Sequence, residues 1–162
     1  MKIKHGMILA AGLGKRMNPI TLKNPKPLIK IGNKNLLERA IELLIGHGVK
    51  EIAINVHHLA DQIKDFINQK KYKVKIIISD EQNTLLDTGG GVLQATRSFK
   101  EPFVVINPDT LWNKSYSNEL KVLEDLYFKQ KKSCLLLVNK NLSFDSSFKG
   151  DFNLNTNIVS RD

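Results

Sequence analysis

The chain has 162 residues, 25 Lys plus Arg against 16 Asp plus Glu, a formal net charge of +9, 41% hydrophobic residues and one cysteine. That length implies one domain, two at most, and allows roughly 70% of the unfolded chain's surface to be buried without staples. The single Cys134 excludes an internal disulfide framework, no apolar run approaches the ~20 residues that span a bilayer, and the N-terminus lacks a signal peptide's apolar stretch.

The protein is therefore expected to be soluble and cytoplasmic, with no membrane partner. No repeat or low-complexity segment is visible, so one compact unit is expected. Met7-Ile8-Leu9 reads as a short strand opening into the glycine-containing loop Ala10-Ala11-Gly12-Leu13-Gly14-Lys15-Arg16, and Pro19, Pro25 and Pro27 direct a long irregular stretch after it. From Leu36 to His47 the apolar residues recur at offsets of one and four, which predicts a helix ending at Gly46 and Gly48. Alternation predicts a strand from Glu51 to Val56. A second amphipathic helix follows near Leu59 to Asn68, then a strand from Val74 to Ile78. Gly89-Gly90-Gly91 reads as a turn before a helix of about Val92 to Ser98, and Phe103 to Ile106 as a continuous apolar strand. A helix of about Glu119 to Lys131 precedes the apolar run Cys134 to Val138, in which Cys134 reads as a buried small apolar residue.

Strands alternating with helices through short links form a parallel sheet with helices on its faces, and such sheets bind ligands beyond the carboxyl ends of their strands. Three segments fall there: the loop after Leu9, the turn near Gly89, and Asn107-Pro108-Asp109 after Ile106. In the first, two glycines and two cations directly follow a strand, where backbone N–H groups can face a phosphate and the cations neutralise it. The spacing is not that of a P-loop, and Met17 stands where a dinucleotide fingerprint has its third glycine. An ordinary tight turn with solvated cations fits these few residues equally well.

The longer run Leu9-Ala10-Ala11-Gly12-Leu13-Gly14-Lys15-Arg16-Met17-Asn18-Pro19-Ile20-Thr21-Leu22-Lys23-Asn24-Pro25-Lys26-Pro27-Leu28 resembles, position for position, the signature of the sugar-1-phosphate nucleotidyltransferases. Through Leu86-Asp87-Thr88-Gly89-Gly90-Gly91-Val92 and Asn107-Pro108-Asp109-Thr110-Leu111-Trp112 the chain is most similar to bacterial N-acetylmuramate 1-phosphate uridylyltransferases, which serve peptidoglycan recycling, and to the mannose-1-phosphate guanylyltransferase group. The resemblance implies a Rossmann-like, three-layer α/β/α fold with a mainly parallel sheet. It implies one nucleotidyltransferase domain over 1–162, with a nucleotide-binding portion of about 1–112, a partial sugar-phosphate portion of about 113–162, and a C-terminal part cut short.

The implied reaction joins a nucleoside triphosphate, UTP or GTP, to a sugar 1-phosphate and expels pyrophosphate, with Mg²⁺ as the cofactor. Leu9, Ala10, Ala11, Gly12, Gly14, Lys15, Arg16 and Lys26 would hold the nucleotide. Arg16 would sit on the leaving pyrophosphate, where a guanidinium spans two phosphate oxygens. Lys26 would draw the attacking phosphate towards the α-phosphorus, which makes Arg16 and Lys26 the implied catalytic pair. Asn107 would contact the nucleotide, the backbone at Thr88, Gly89 and Gly90 would approach base or ribose, and Asp109 would bind the metal as a hard oxygen ligand. Asp151 would touch the sugar phosphate.

Blander readings stand beside these. A given lysine or arginine is usually a solvated surface charge. Asp109 beside Pro108 can begin a turn, and the glycine triplet can cap one. His57-His58 reads as a solvated loop pair, since neighbouring strand residues point oppositely and no further ligand stands at metal spacing. Two other functions remain open: a non-catalytic nucleotide-binding homologue, and a nucleic-acid binder drawn by the positive charge. Against the second, the cations are not interleaved with aromatics and no nucleic-acid motif is present. Base, sugar and oligomeric state are not specified by side-chain order.

Overall fold

The apolar run near the N-terminus forms β1 (His5–Leu9), and the computed structural model describes residues 2–143, 147, 149–156 and 158–161. After it come three single 3-10 turns, Lys15–Met17, Ile20–Leu22 and Lys26–Leu28. A small antiparallel hairpin, β2 (Lys30–Ile31) and β3 (Lys34–Asn35), then turns at Gly32, whose φ of 67° suits a glycine-first two-residue turn.

Helix α1 (Leu36–His47) starts where Asn35 accepts the Glu38 N–H at 2.7 Å and stops at Gly48 with φ 106°. A polar N-cap and a left-handed C-terminal glycine are the local signals that bound a helix. Next are β4 (Glu51–Val56), α2 (Ala60–Lys70), β5 (Lys75–Asp80), α3 (Asp87–Ala95), β6 (Phe103–Ile106) and α4 (Ser117–Gln130). The four longer strands form one parallel sheet in the order β5-β4-β1-β6.

Alternation along the strands sorts the core into two faces. Ile8, Ile52, Ile54 and Val56 pack with Leu37, Ile41 and Leu44 of α1 and Ile63 and Ile67 of α2. On the opposite face Met7 and Ala53 pack with Ala95 of α3. The helices thus lie on both sides of the sheet, as the sequence pattern implies. Helix α1 sits close to β1, because a Cβ at Gly6 would stand 2.9 Å from Leu44 Cδ1.

The glycine triplet differs from expectation: it is not a turn, and α3 already begins at Asp87. Glycine weakens a helix interior, but at two of the three positions a side chain would be crowded. A Cβ on Gly91 would stand 2.8 Å from both Asn55 Nδ2 and Glu81 Oε1, and one on Gly90 would stand 3.0 Å from Leu86 Cβ. Nothing in the structure explains Gly89 in this way.

The described residues form two compact units, Met1–Leu120 and Lys121–Asp162. In the second, β7 (Asn153–Asn155) pairs antiparallel with β8 (Ile158–Ser160), and the Lys131 ammonium lies 4.6 Å from the centre of the Phe128 ring. The run Cys134–Val138 is neither helix nor strand, with Leu135 and Val138 exposed. Cys134 is half-buried there, not part of a core. A strand needs a neighbour for its backbone groups, and none of the described residues pairs with this run. No helix among the described residues is long and apolar enough to cross a membrane.

Candidate functional site

From β1 the chain builds outward through β4 and β5, then returns to add β6 on the other side of β1. The strand order thus reverses between β1 and β6, and it is beyond the carboxyl ends of strands at such a point that ligands bind. A cleft of about 470 Å³ fills that place. Its wall is made by residues 9–17, by Lys26 and Pro27, by Asn55 at the end of β4, by Leu85, Asp87 and Thr88, and by residues 107–109 after β6.

The loop after β1 is shaped locally. Gly14 has φ 65° and ψ 20°, a left-handed conformation that glycine adopts without steric cost. Its carbonyl accepts the Met17 N–H at 2.9 Å and lies 3.0 Å from the Thr21 hydroxyl, which also reaches Asn18 Oδ1 at 2.8 Å. Thr21 is buried, and a Cβ on Gly14 would stand 2.8 Å from its methyl group. His58 Nε2 donates to the Thr21 carbonyl at 2.7 Å, pinning this segment to the start of α2. Lys15 and Arg16 remain exposed on the resulting turn, in the cleft wall.

Lys26 and Asp109, 83 residues apart in the chain, meet at 2.7 Å between Nζ and Oδ2. Both are partly solvated, so the pair adds only about 0–1 kcal/mol to stability. Its information is geometric: a cation from the proline-directed segment and a carboxylate from the end of β6 face one point of the cleft. The turn carrying Asp109 is held by Trp112, whose indole N–H donates to the Asn107 carbonyl at 2.6 Å. Trp112 packs edge-on against Tyr116 at 4.9 Å between ring centres.

The cleft wall thus brings together Leu9, Ala10, Ala11, Gly12, Gly14, Lys15, Arg16, Lys26, Asn107 and Asp109. Gly89 and Gly90 lie outside it, in the body of α3, while Asp87 and Thr88 at the start of that helix lie in it. Asp151 is exposed and belongs to the second unit. Two carboxylates, Asp87 and Asp109, line the cleft, and among the described residues no group of three His, Cys, Asp or Glu is placed to hold a metal.

Sequence reasoning did not single out Asn55 or Glu81, buried at 3% and 2% exposure. The available signal was an amide near the end of an otherwise apolar strand. Nor are His57 and His58 a solvated pair: both are half-buried, and His57 Nδ1 donates to the Glu81 carbonyl at 2.7 Å.

Known proteins resemble the chain in sequence and in fold. The family model described as "Nucleotidyl transferase" matches residues 5–142. An N-acetylmuramate alpha-1-phosphate uridylyltransferase of Caulobacter vibrioides is 37% identical over 113 residues, covering 67% of this chain and 47% of that protein. A mannose-1-phosphate guanyltransferase of Hypocrea jecorina is 35% identical over 111 residues, covering 65% and 30%. Among solved structures, a UDP-glucose pyrophosphorylase complexed with UDP-glucose superposes with a TM-score of 0.68 at 26% identity, over 82% of this chain and 55% of that one. The chain spans about half the length, or less, of the curated relatives it matches.

Proposed function

The chain belongs to the nucleotidyl transferase family, and from that premise we propose that its cleft receives a nucleoside triphosphate, UTP or GTP, which the protein joins to a sugar 1-phosphate. Pyrophosphate is released and a nucleotide sugar is formed. The finer reading is an N-acetylmuramate 1-phosphate uridylyltransferase acting in the cytoplasm on a cell-wall sugar, supported by the similarity to the Caulobacter vibrioides protein. In this reading residues 1–112 handle the nucleotide and residues 113–162 contribute to the sugar-phosphate side, Asp151 included.

The observation that carries the proposal is the meeting of Lys26 and Asp109 in the wall of a cleft that the Gly12–Arg16 loop also lines. An oxygen of the sugar phosphate attacks the α-phosphorus; the new P–O bond forms as the bond to the bridging oxygen breaks, and pyrophosphate leaves with that electron pair. No covalent enzyme nucleophile is needed. Two anions must approach one another, so catalysis rests on positioning and charge neutralisation. Lys15 and Arg16 hold the β- and γ-phosphates, with Arg16 taking up charge on the leaving group. Lys26 guides the attacking phosphate, and Asn107 contacts the nucleotide.

The donor set fits Mg²⁺, which is commonly held by one or two carboxylates together with substrate phosphates and not by an all-protein cage. Asp109 offers a hard oxygen at the place where phosphates would enter, with Asp87 the other carboxylate of the lining. When bound, the ion supplies neutralisation of phosphate oxygens.

The test is to incubate the protein with Mg²⁺, UTP or GTP, and a panel of sugar 1-phosphates including that of N-acetylmuramate, and to measure pyrophosphate. Release with UTP and N-acetylmuramate 1-phosphate is expected. Nucleotide binding without release from any sugar phosphate would replace the enzyme reading with that of a nucleotide-binding homologue.

A further inference from the structure

Three hydrogen bonds run through the buried floor of the cleft. The Ala10 N–H, one residue beyond β1, donates to Asn55 Oδ1 at 2.8 Å; Asn55 Nδ2 donates to Glu81 Oε1 at 2.8 Å; and Glu81 Oε2 accepts the Leu86 N–H at 3.1 Å. Each acceptor oxygen and each donor in this chain is used once, and both side chains are almost fully enclosed. Ala10 opens one wall of the cleft, and Leu86 precedes Asp87 and Thr88 in the other. The chain therefore joins a backbone N–H of the phosphate-loop wall to a backbone N–H of the α3 wall through two side chains.

We infer that Asn55 and Glu81 are positioning residues that set the separation of the two cleft walls and so govern nucleotide affinity, with Gly91 glycine because the pair occupies its Cβ position. This rests on the proposed reading of the cleft as a nucleotide site. Buried polar chains of this kind stiffen a structure when every member is satisfied, and the loss of one partner leaves another group stranded. Alternation places Asn55 and Glu81 on the face of the sheet that α3 covers, together with Ala53, which packs against Ala95 of that helix. Small residues there let the helix come close enough for Gly91 to lie against both polar groups.

The donor and acceptor pattern supplies its own control. In Asn55→Asp a carboxylate oxygen would face Glu81 Oε1, and in Glu81→Gln an amide group would face either Asn55 Nδ2 or the Leu86 N–H; each single change breaks one link. In the double variant the new amide at position 81 donates to the new carboxylate at position 55. That carboxylate still accepts from the Ala10 N–H, and the amide oxygen at position 81 still accepts from the Leu86 N–H, so all three bonds return with the roles exchanged. The experiment measures UTP and GTP affinity in Mg²⁺ by calorimetry, and hydrogen exchange at the Ala10 and Leu86 amides in the nucleotide-free protein, for the wild type, both singles and the double.

Each single is expected to lose at least tenfold in affinity and to speed exchange at one or both amides, and the double to return within about twofold of the wild type on both measures. Gly91→Ala, which keeps Asn55 and Glu81 themselves but sets a methyl group 2.8 Å from both, is expected to reproduce the single-variant pattern. Singles that bind as the wild type does, or a double no better than its two singles, would overturn the inference. If the wild type binds neither nucleotide, the nucleotide reading fails, and recovery or non-recovery of amide protection in the double upholds or overturns the tie between the walls.

Discussion

The units Met1–Leu120 and Lys121–Asp162 are made of similar residues and treat them differently. In the first, Ile8, Leu37, Ile41, Leu44, Ile52 and Ile54 are enclosed between a sheet and its helices. In the second, Leu135, Leu136, Val138, Leu142, Leu154 and Ile158 are exposed. The lesson is that an apolar run becomes a strand where a neighbouring strand satisfies its backbone. Phe103–Ile106 has β1 beside it and is a strand; Cys134–Val138 has the same character and no such neighbour among the described residues.

Paired truncations test that contrast with the largest expected effect. Ile41→Ala should cost about 2–5 kcal/mol of unfolding free energy, because it leaves a cavity in a closed core. Leu135→Ala should stay within about 0.5 kcal/mol, as exposed sites do. Chemical denaturation of the two variants checks this, and equal losses would erase the distinction between the units.

Lys26→Ala addresses the cleft of the first unit. Pyrophosphate release should fall at least ~100-fold, about 2.7 kcal/mol in the barrier, while the denaturation midpoint shifts little because the residue carries no core packing. A variant as active as the wild type would remove Lys26 from the reaction. Gly14→Ala should cost about 1–2 kcal/mol in stability, since φ 65° is unfavourable for any residue with a Cβ, and the clash with Thr21 adds to it. Thermal unfolding measures the sum.

The smallest effect is a pH dependence. The hydrogen bond from Lys64 holds the Asp80 carboxyl below its ordinary value of 3.8, with the Gln82 backbone N–H assisting. The same bond to Asp80, then that to Asp61, raises the Lys64 ammonium above 10.5. A lowered carboxyl contributes stability that is present above 3.8 and lost as pH falls through its folded value; a raised ammonium contributes below 10.5 and loses its effect as pH rises through its own. The stability difference between the wild type and Lys64→Met should form a plateau between those limits and vanish in strong acid. A difference that persists at pH 1 would show that Lys64 acts through its bond to Gln82 Oε1 or through packing and not through the two carboxylates.

Much of the first unit was legible because its signals are local. The spacing of Leu36 to His47 and the alternation of Glu51 to Val56 place α1 and β4 within their observed bounds. The cleft loop was legible through a long motif, although the motif did not show that Thr21 and His58 hold it in place. Where packing overrides local preference the reading failed. Three successive glycines suggest a turn until Asn55 and Glu81 are seen occupying the space a side chain would need. Asn55 itself sits in a strand like any other alternate residue, and only the pairing of β1 with β4 brings it to the Ala10 N–H.

The Lys26–Asp109 contact has a consequence for how ions enter the cleft. Each group already holds an opposite charge at 2.7 Å, so a phosphate reaching Lys26 displaces a carboxylate, and a cation reaching Asp109 displaces an ammonium. In the proposed reading the attacking sugar phosphate and the metal ion exchange partners with this pair, one contact broken and two made, as in a decomposition of salts. Asp109 already offsets the charge of Lys26 in the free cleft, so the dependence of binding on ionic strength should be shallower than a count of the cleft's cations implies.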